Sequence, residues 1–115
     1  MRFSALVAVL SDDLEEQAIA TAKAAGAGGV TIMDARGIGA EARKTFLGMT
    51  YEGSQSVLLW VLEKKLALNV LKCISKELDL ANDPRGIAFT VDVAHLAGIG
   101  RNQIEQFQEQ VKEEL

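Results

Sequence analysis

The reading of one stretch decides the fold: Gly28-Gly29-Val30-Thr31-Ile32-Met33-Asp34-Ala35-Arg36-Gly37-Ile38-Gly39. A β-branched run leaves one glycine pair and ends in a second, Gly37 and Gly39. Val, Ile and Thr suit a pleated, half-buried surface. Glycine is favoured where φ turns positive or where another group approaches the backbone closely. The segment therefore reads as a strand from Val30 to about Arg36. It enters from a helix end and leaves into an exposed loop beside a candidate ligand site.

Upstream, Phe3 to Leu10 is an apolar run broken only by Ser4, which suits a strand at the centre of a sheet. Ser11-Asp12-Asp13 then supplies helix-start chemistry. Asp12 as N-cap with Glu15 three residues on predicts a capping box. The helix runs to about Ala25 and stops at Gly26, with Leu14, Ala18, Ala22 and Ala25 on one face. Alanines there let it sit close to a sheet.

Downstream, residues 37–55 have no clear period and carry glycines at 37, 39, 48 and 53. Loops of that length in a small domain are usually functional or mobile. Ser56 to Leu62 is a third, continuously apolar strand. Glu63-Lys64-Lys65 opens a second helix, in which Ala67, Val70, Leu71, Ile74 and Leu78 form an amphipathic stripe. Asn82-Asp83-Pro84-Arg85-Gly86 is a turn by composition. Ile87 to Val93 is the fourth strand, with Ile87, Phe89, Val91 and Val93 on one face. Asn102 can cap a last helix, over about 101–115, with Glu105 at the capping-box position and Ile104, Phe107, Val111 and Leu115 as its stripe. A helix this short must dock on something to be stable.

The order β-α-β-loop-β-α-β-α predicts an α+β, ferredoxin-like βαββαβ domain: a four-stranded antiparallel sheet with two helices on one face, plus a C-terminal helix. Apolar residues on both faces of the first and third strands call for a second covering partner, most simply other subunits.

Composition narrows the function. The 115 residues suit a single domain, 1–115, and 49% of them are hydrophobic, which argues against disorder. A net charge of −4 and no basic cluster beyond Arg43-Lys44 and Lys64-Lys65 argue against nucleic-acid binding. Cys73 is the only cysteine, so no internal disulfide forms and a reducing compartment fits. The first apolar run is too short to span a membrane. These features lead us to expect a cytoplasmic protein without membrane insertion. There is no P-loop, no GxGxxG and no nucleophile–base set to argue from a lone His95, so no enzyme is expected. His95 and Cys73 read as structural residues, and Trp60 as core or subunit-interface packing.

The run Gly29-Val30-Thr31 … Arg36-Gly37-Ile38-Gly39, on the second strand and before a long loop, resembles the PII nitrogen-regulatory family. That resemblance implies a homotrimer with adenine nucleotides (ATP, ADP or AMP) as effectors in intersubunit clefts. It also implies a T-loop, about residues 37–55, that docks on a transporter, enzyme or regulator. Carried over residue by residue, it assigns ligand binding to Gly29, Thr31, Gly37 and Gly39, whose backbone N–H groups suit phosphate oxygens. Arg85 stands in the family's second phosphate-binding turn, and Arg36 lies close enough to the loop base to meet an anion. Arg43, Lys44 and Tyr51 fall in the partner-docking loop. The chain departs from the family at Glu41, where a carboxylate replaces the usual glutamine, and at Arg101, one arginine where the family offers two. No metal ligands are assigned. Two alternatives remain: a trimeric metal-related protein of the CutA type, and a purely structural interaction module.

Overall fold

Alternation along residues 3–11 sets the architecture. In the computed structural model, Ser4, Leu6, Ala8 and Leu10 are buried, while Phe3, Ala5, Val7 and Val9 between them are half-buried. The structure describes residues 1–36, 54–83 and 85–98, and the backbone alone at 45–46 and 49–50. The elements are β1 (Phe3–Ser11), α1 (Glu15–Ala24), β2 (Thr31–Ala35), β3 (Thr45–Phe46), β4 (Met49–Thr50), β5 (Gln55–Glu63), α2 (Lys64–Glu77) and β6 (Gly86–Val93).

The main sheet has the order β2-β5-β1-β6, and every pairing is antiparallel. β1 pairs with β5 from Phe3↔Glu63 to Ser11↔Gln55, and with β6 from Phe3↔Val93 to Leu10↔Gly86. This is the expected ferredoxin-like plan. Both helices lie on one face. Ala18 and Ala22 of α1, and Ala67, Val70 and Ile74 of α2, are fully buried against Leu6, Ala8, Leu10, Leu58 and Trp60. Each fully buried Val, Leu or Ile side chain contributes roughly 1.5–3 kcal/mol, and each alanine methyl under about 1 kcal/mol. Trp60, 1% exposed, belongs to this core. The other face is bare: Val61, Phe89 and Val91 are 39%, 41% and 52% exposed.

Several local expectations change. The capping box at Asp12 does not form. Asp12–Leu14 is a 3-10 turn with no side-chain cap, and α1 begins at Glu15. Glu15 instead accepts a hydrogen bond from Ser56 Oγ at 2.7 Å, because the sheet offers it a closer donor. In α2 the cap is Glu63, whose carboxylate accepts from the backbone N–H groups of Lys65 and Leu66 at 2.9 and 3.1 Å. That satisfies two orphan donors and places negative charge at the positive end of the helix. β2 spans only Thr31–Ala35, whereas β5 extends one residue past each expected end. The stretch 37–55, read as structureless, contains a short ladder, Thr45↔Thr50 and Phe46↔Met49. The expected C-terminal helix lies outside the described residues.

Three described backbone positions, Gly26, Asp79 and Gly98, take a positive φ. Gly26 ends α1 at φ +108, as a C-terminal glycine should. Asp79 follows α2 at φ 52, and its carboxylate accepts from Asn82 Nδ2 at 2.9 Å.

Another glycine, Gly86, is fixed by space. A Cβ on Gly86 would clash with Leu10 Cδ2 and stand 3.3 Å from the Val9 carbonyl oxygen. Leu10 is fully buried and has little room to yield. Gly86→Ala is expected to cost about 1–3 kcal/mol, read as a lower urea midpoint at an unchanged m-value.

Candidate functional site at the loop base

Three chain segments converge where β2 runs out toward the long loop. The backbone ties them together: Ser11 N–H donates to the Arg85 carbonyl at 2.8 Å, and Asp12 N–H donates to the Ser54 carbonyl at 3.1 Å. Asp12, Asp34, Ala35, Arg36 and Ser54 line a cavity of about 520 Å3 beside this junction. Arg36, just past the end of β2, is exposed and is the cation of that cavity.

Arg85 belongs to the same end of the sheet but is already engaged. Its guanidinium donates to Asp83 through Nε at 3.0 Å and Nη2 at 2.8 Å, and to Asp13 through Nη1 at 2.8 Å. Ser11 Oγ also donates to the Asp13 carboxylate. That bond from Ser11, helped by Arg85, holds the Asp13 carboxyl below its ordinary range. Hydrogen bonding to Arg85 does the same for Asp83, and Asp83 in turn raises Arg85. With Asp12 and Asp34 also present, carboxylates outnumber cations here. An arriving phosphate must therefore compete with Asp83 and Asp13 for Arg85.

Gln55 is a site feature that the sequence reading missed. It pairs with Ser11 on one side and Ala35 on the other. It is 2% exposed, and its Nε2 has no hydrogen-bond partner among the described residues. A buried amide donor left open at a loop base is costly unless something accepts from it. Its position at the start of an apolar strand was visible in the sequence, but its burial was not.

The remaining candidates separate. Thr31 is exposed on the edge strand, opposite Leu59. A Cβ on Gly29 would meet nothing within 4 Å, so packing does not require a glycine there. Thr31 and Arg36 are five residues apart along an extended chain, roughly 17 Å. Thr31 is therefore not part of the cavity that Arg36 lines. Gly37, Gly39, Arg43, Lys44 and Tyr51 lie outside the described residues. His95 is exposed, and Cys73 is half-buried. Among the described residues no three His, Cys, Asp or Glu side chains cluster as metal ligands. No described helix is long and apolar enough to cross a membrane.

The antiparallel βαββαβ sheet, with a cavity where β2 and the start of β5 meet the end of β1, defines a ferredoxin-like α+β domain. The family model described as nitrogen regulatory protein P-II matches residues 3–103, and the chain belongs to that family. Among solved structures, one assigned to a PII-like signalling protein from Thermus thermophilus is 25% identical. Its TM-score is 0.61, covering 81% of this chain and 88% of that one. CPII from Thiomonas intermedia K12, bound to ADP, AMP and acetate, is 20% identical with TM-score 0.65, covering 87% and 90%. The apo form of CPII is 18% identical with TM-score 0.62, covering 81% and 90%. No curated protein matches the sequence.

The depressed Asp13 and Asp83 make the Arg85 tie pH-dependent in one direction. Its contribution is complete above the ordinary aspartate value of about 3.9 and is lost as pH falls through the lower folded values. Asp13 and Arg85 are exposed and Asp83 is half-buried, so the effect is small. The stability difference between the protein and Arg85→Gln, from urea midpoints, should stay constant between about pH 5 and 8 and close below about pH 4. A difference unchanged down to about pH 2 would contradict the assignment.

Proposed function

We propose that this chain is a trimeric PII-like signalling protein. It would bind an adenine nucleotide between subunits and regulate a protein target through the loop of residues 37–55. The observation that carries this reading is the match of residues 3–103 to the P-II family, together with a cavity beside the long loop that is lined by Arg36, Asp34, Asp12 and Ser54. The ADP and AMP bound to CPII, a structure of the same fold, support the choice of ligand.

Two physical points support assembly of several copies, for which the family resemblance suggests three. The bare sheet face, with Val61, Phe89 and Val91 exposed, needs covering. The separation of Thr31 from Arg36 suits a ligand held by Gly29 and Thr31 of one chain and by Arg36, Gly37, Gly39 and Arg85 of another. Arg36, the Gln55 amide and, once displaced from its carboxylates, Arg85 would hold the phosphates.

Regulation is then a population shift. A ligand that contacts the loop base better in one loop conformation favours that conformation by its differential affinity. The loop would present Arg43, Lys44 and Tyr51 to a transporter, an enzyme or a regulator accordingly. The reading puts the protein in the cytoplasm.

Titration calorimetry with ATP, ADP, AMP and cyclic AMP tests the ligand, and silence for all four defeats it. Arg36→Ala is expected to weaken nucleotide binding about tenfold or more, a loss of about 1.4 kcal/mol. Asp83→Asn should strengthen binding, because it releases Arg85 and removes a competing carboxylate.

The assembly has its own test. Light scattering should give the mass of three chains, and Val91→Asp, a charge placed on the bare face, should reduce it to one. A monomeric parent protein would remove the intersubunit site altogether.

A further inference from the structure

We propose that the groove between α2 and the edge strand β6 is the docking site for this chain's own C-terminal segment, residues 102–115. The groove shares no lining residue with the cavity that Arg36 lines. Its volume is about 810 Å3, and Leu68, Leu71, Lys72, Leu80, Ile87 and Ala88 line it. Leu68 is 47% exposed, a large apolar side chain facing water along an otherwise well-packed helix. β6 is the last strand of the sheet, so its outer edge has no strand partner among the described residues.

The segment matches this groove in polarity, charge, length and point of departure. Ile104, Phe107, Val111 and Leu115 give it one apolar stripe at helical spacing. Glu105, Glu109, Glu113 and Glu114 outweigh Arg101 and Lys112. The charged groups lining the groove are Lys72, Lys76 and Asp79, so two of three are of the complementary sign. α2 has 14 residues, about 21 Å of helix, and residues 102–115 would cover the same length.

The described chain also ends in the right place. Leu96 lies beside Arg2, Phe3 and Lys64, at the first residue of α2. Gly98 has φ +95, which lets the chain reverse. Residues 99–101 then bridge up to roughly 10 Å. A helix starting at Asn102 and running parallel to α2 brings Glu109 level with Lys72 and Glu113 level with Lys76. It places Phe107 and Val111 against Leu68, Leu71 and Leu80. The docked segment gains the tertiary contacts that a helix of this length lacks in isolation.

Ser75 lines the groove and reports on its occupancy. In a Cys73→Ser background, Ser75→Cys should react with a maleimide about tenfold more slowly than the same protein carrying Phe107→Glu and Val111→Glu. Equal rates overturn the proposal. Pairing Ser75→Cys with Val111→Cys and adding a short bismaleimide should link the two sites within one chain. A product of two linked chains places a neighbour's segment in the groove, and a product bearing two unlinked reagents leaves it empty. Either overturns the proposal.

Discussion

β1 is paired along almost its whole length on both sides, to β5 and to β6, and the rest of the molecule depends on that double pairing. Every second residue of the strand is fully enclosed, and the residues between them are half-covered. A strand like that fixes register on one face through packing, since a one-residue slip would carry Leu6 and Leu10 out of the core. The helices follow from it. The small alanines of α1 and the aliphatic stripe of α2 are shaped to the ridge that Leu6, Ala8, Leu58 and Trp60 present. The bare face follows as well, because both helices are spent on the same side.

The loop base is balanced differently. The core is held by non-directional burial, whereas this end of the sheet is held by directed polar contacts. The Ser11 and Asp12 amides reach across to neighbouring segments, and Arg85 is clamped between Asp83 and Asp13. Such contacts are individually weak in water and exchangeable. Any anion that engaged Arg85 would have to replace what Asp83 and Asp13 already supply to it.

The fold was largely legible in the sequence because its determinants are periodic and local. The stripe of α2, the apolar runs of β1 and β5 and the glycine ending α1 each announce an element within a short window. The failures were non-local. Glu15 looked like half of a capping box because its true partner, Ser56, lies 41 residues away. Arg85 looked like a free phosphate cation although Asp83 stands two residues away, and its second partner, Asp13, lies 72 residues away. The burial of Gln55 depends on neighbours from two other strands. The glycines and Thr31 were grouped with Arg36 by family resemblance. Extended-strand geometry then places Thr31 roughly 17 Å of strand away from Arg36.

The pairing of β1 also carries a kinetic consequence. Phe3 lies opposite Val93, ninety residues later in the chain, and Leu10 opposite Gly86. The first strand to leave the ribosome therefore waits for the last, roughly 5 to 20 s at ordinary rates of synthesis. Contacts of such sequence separation make folding slow relative to helical proteins of this size. Until β5 follows, the run Leu6-Val7-Ala8-Val9-Leu10 has no native neighbour on either edge, and until β6 follows one edge stays open. The segment that organises the finished molecule is thus also the one most in need of shielding while the molecule is being made.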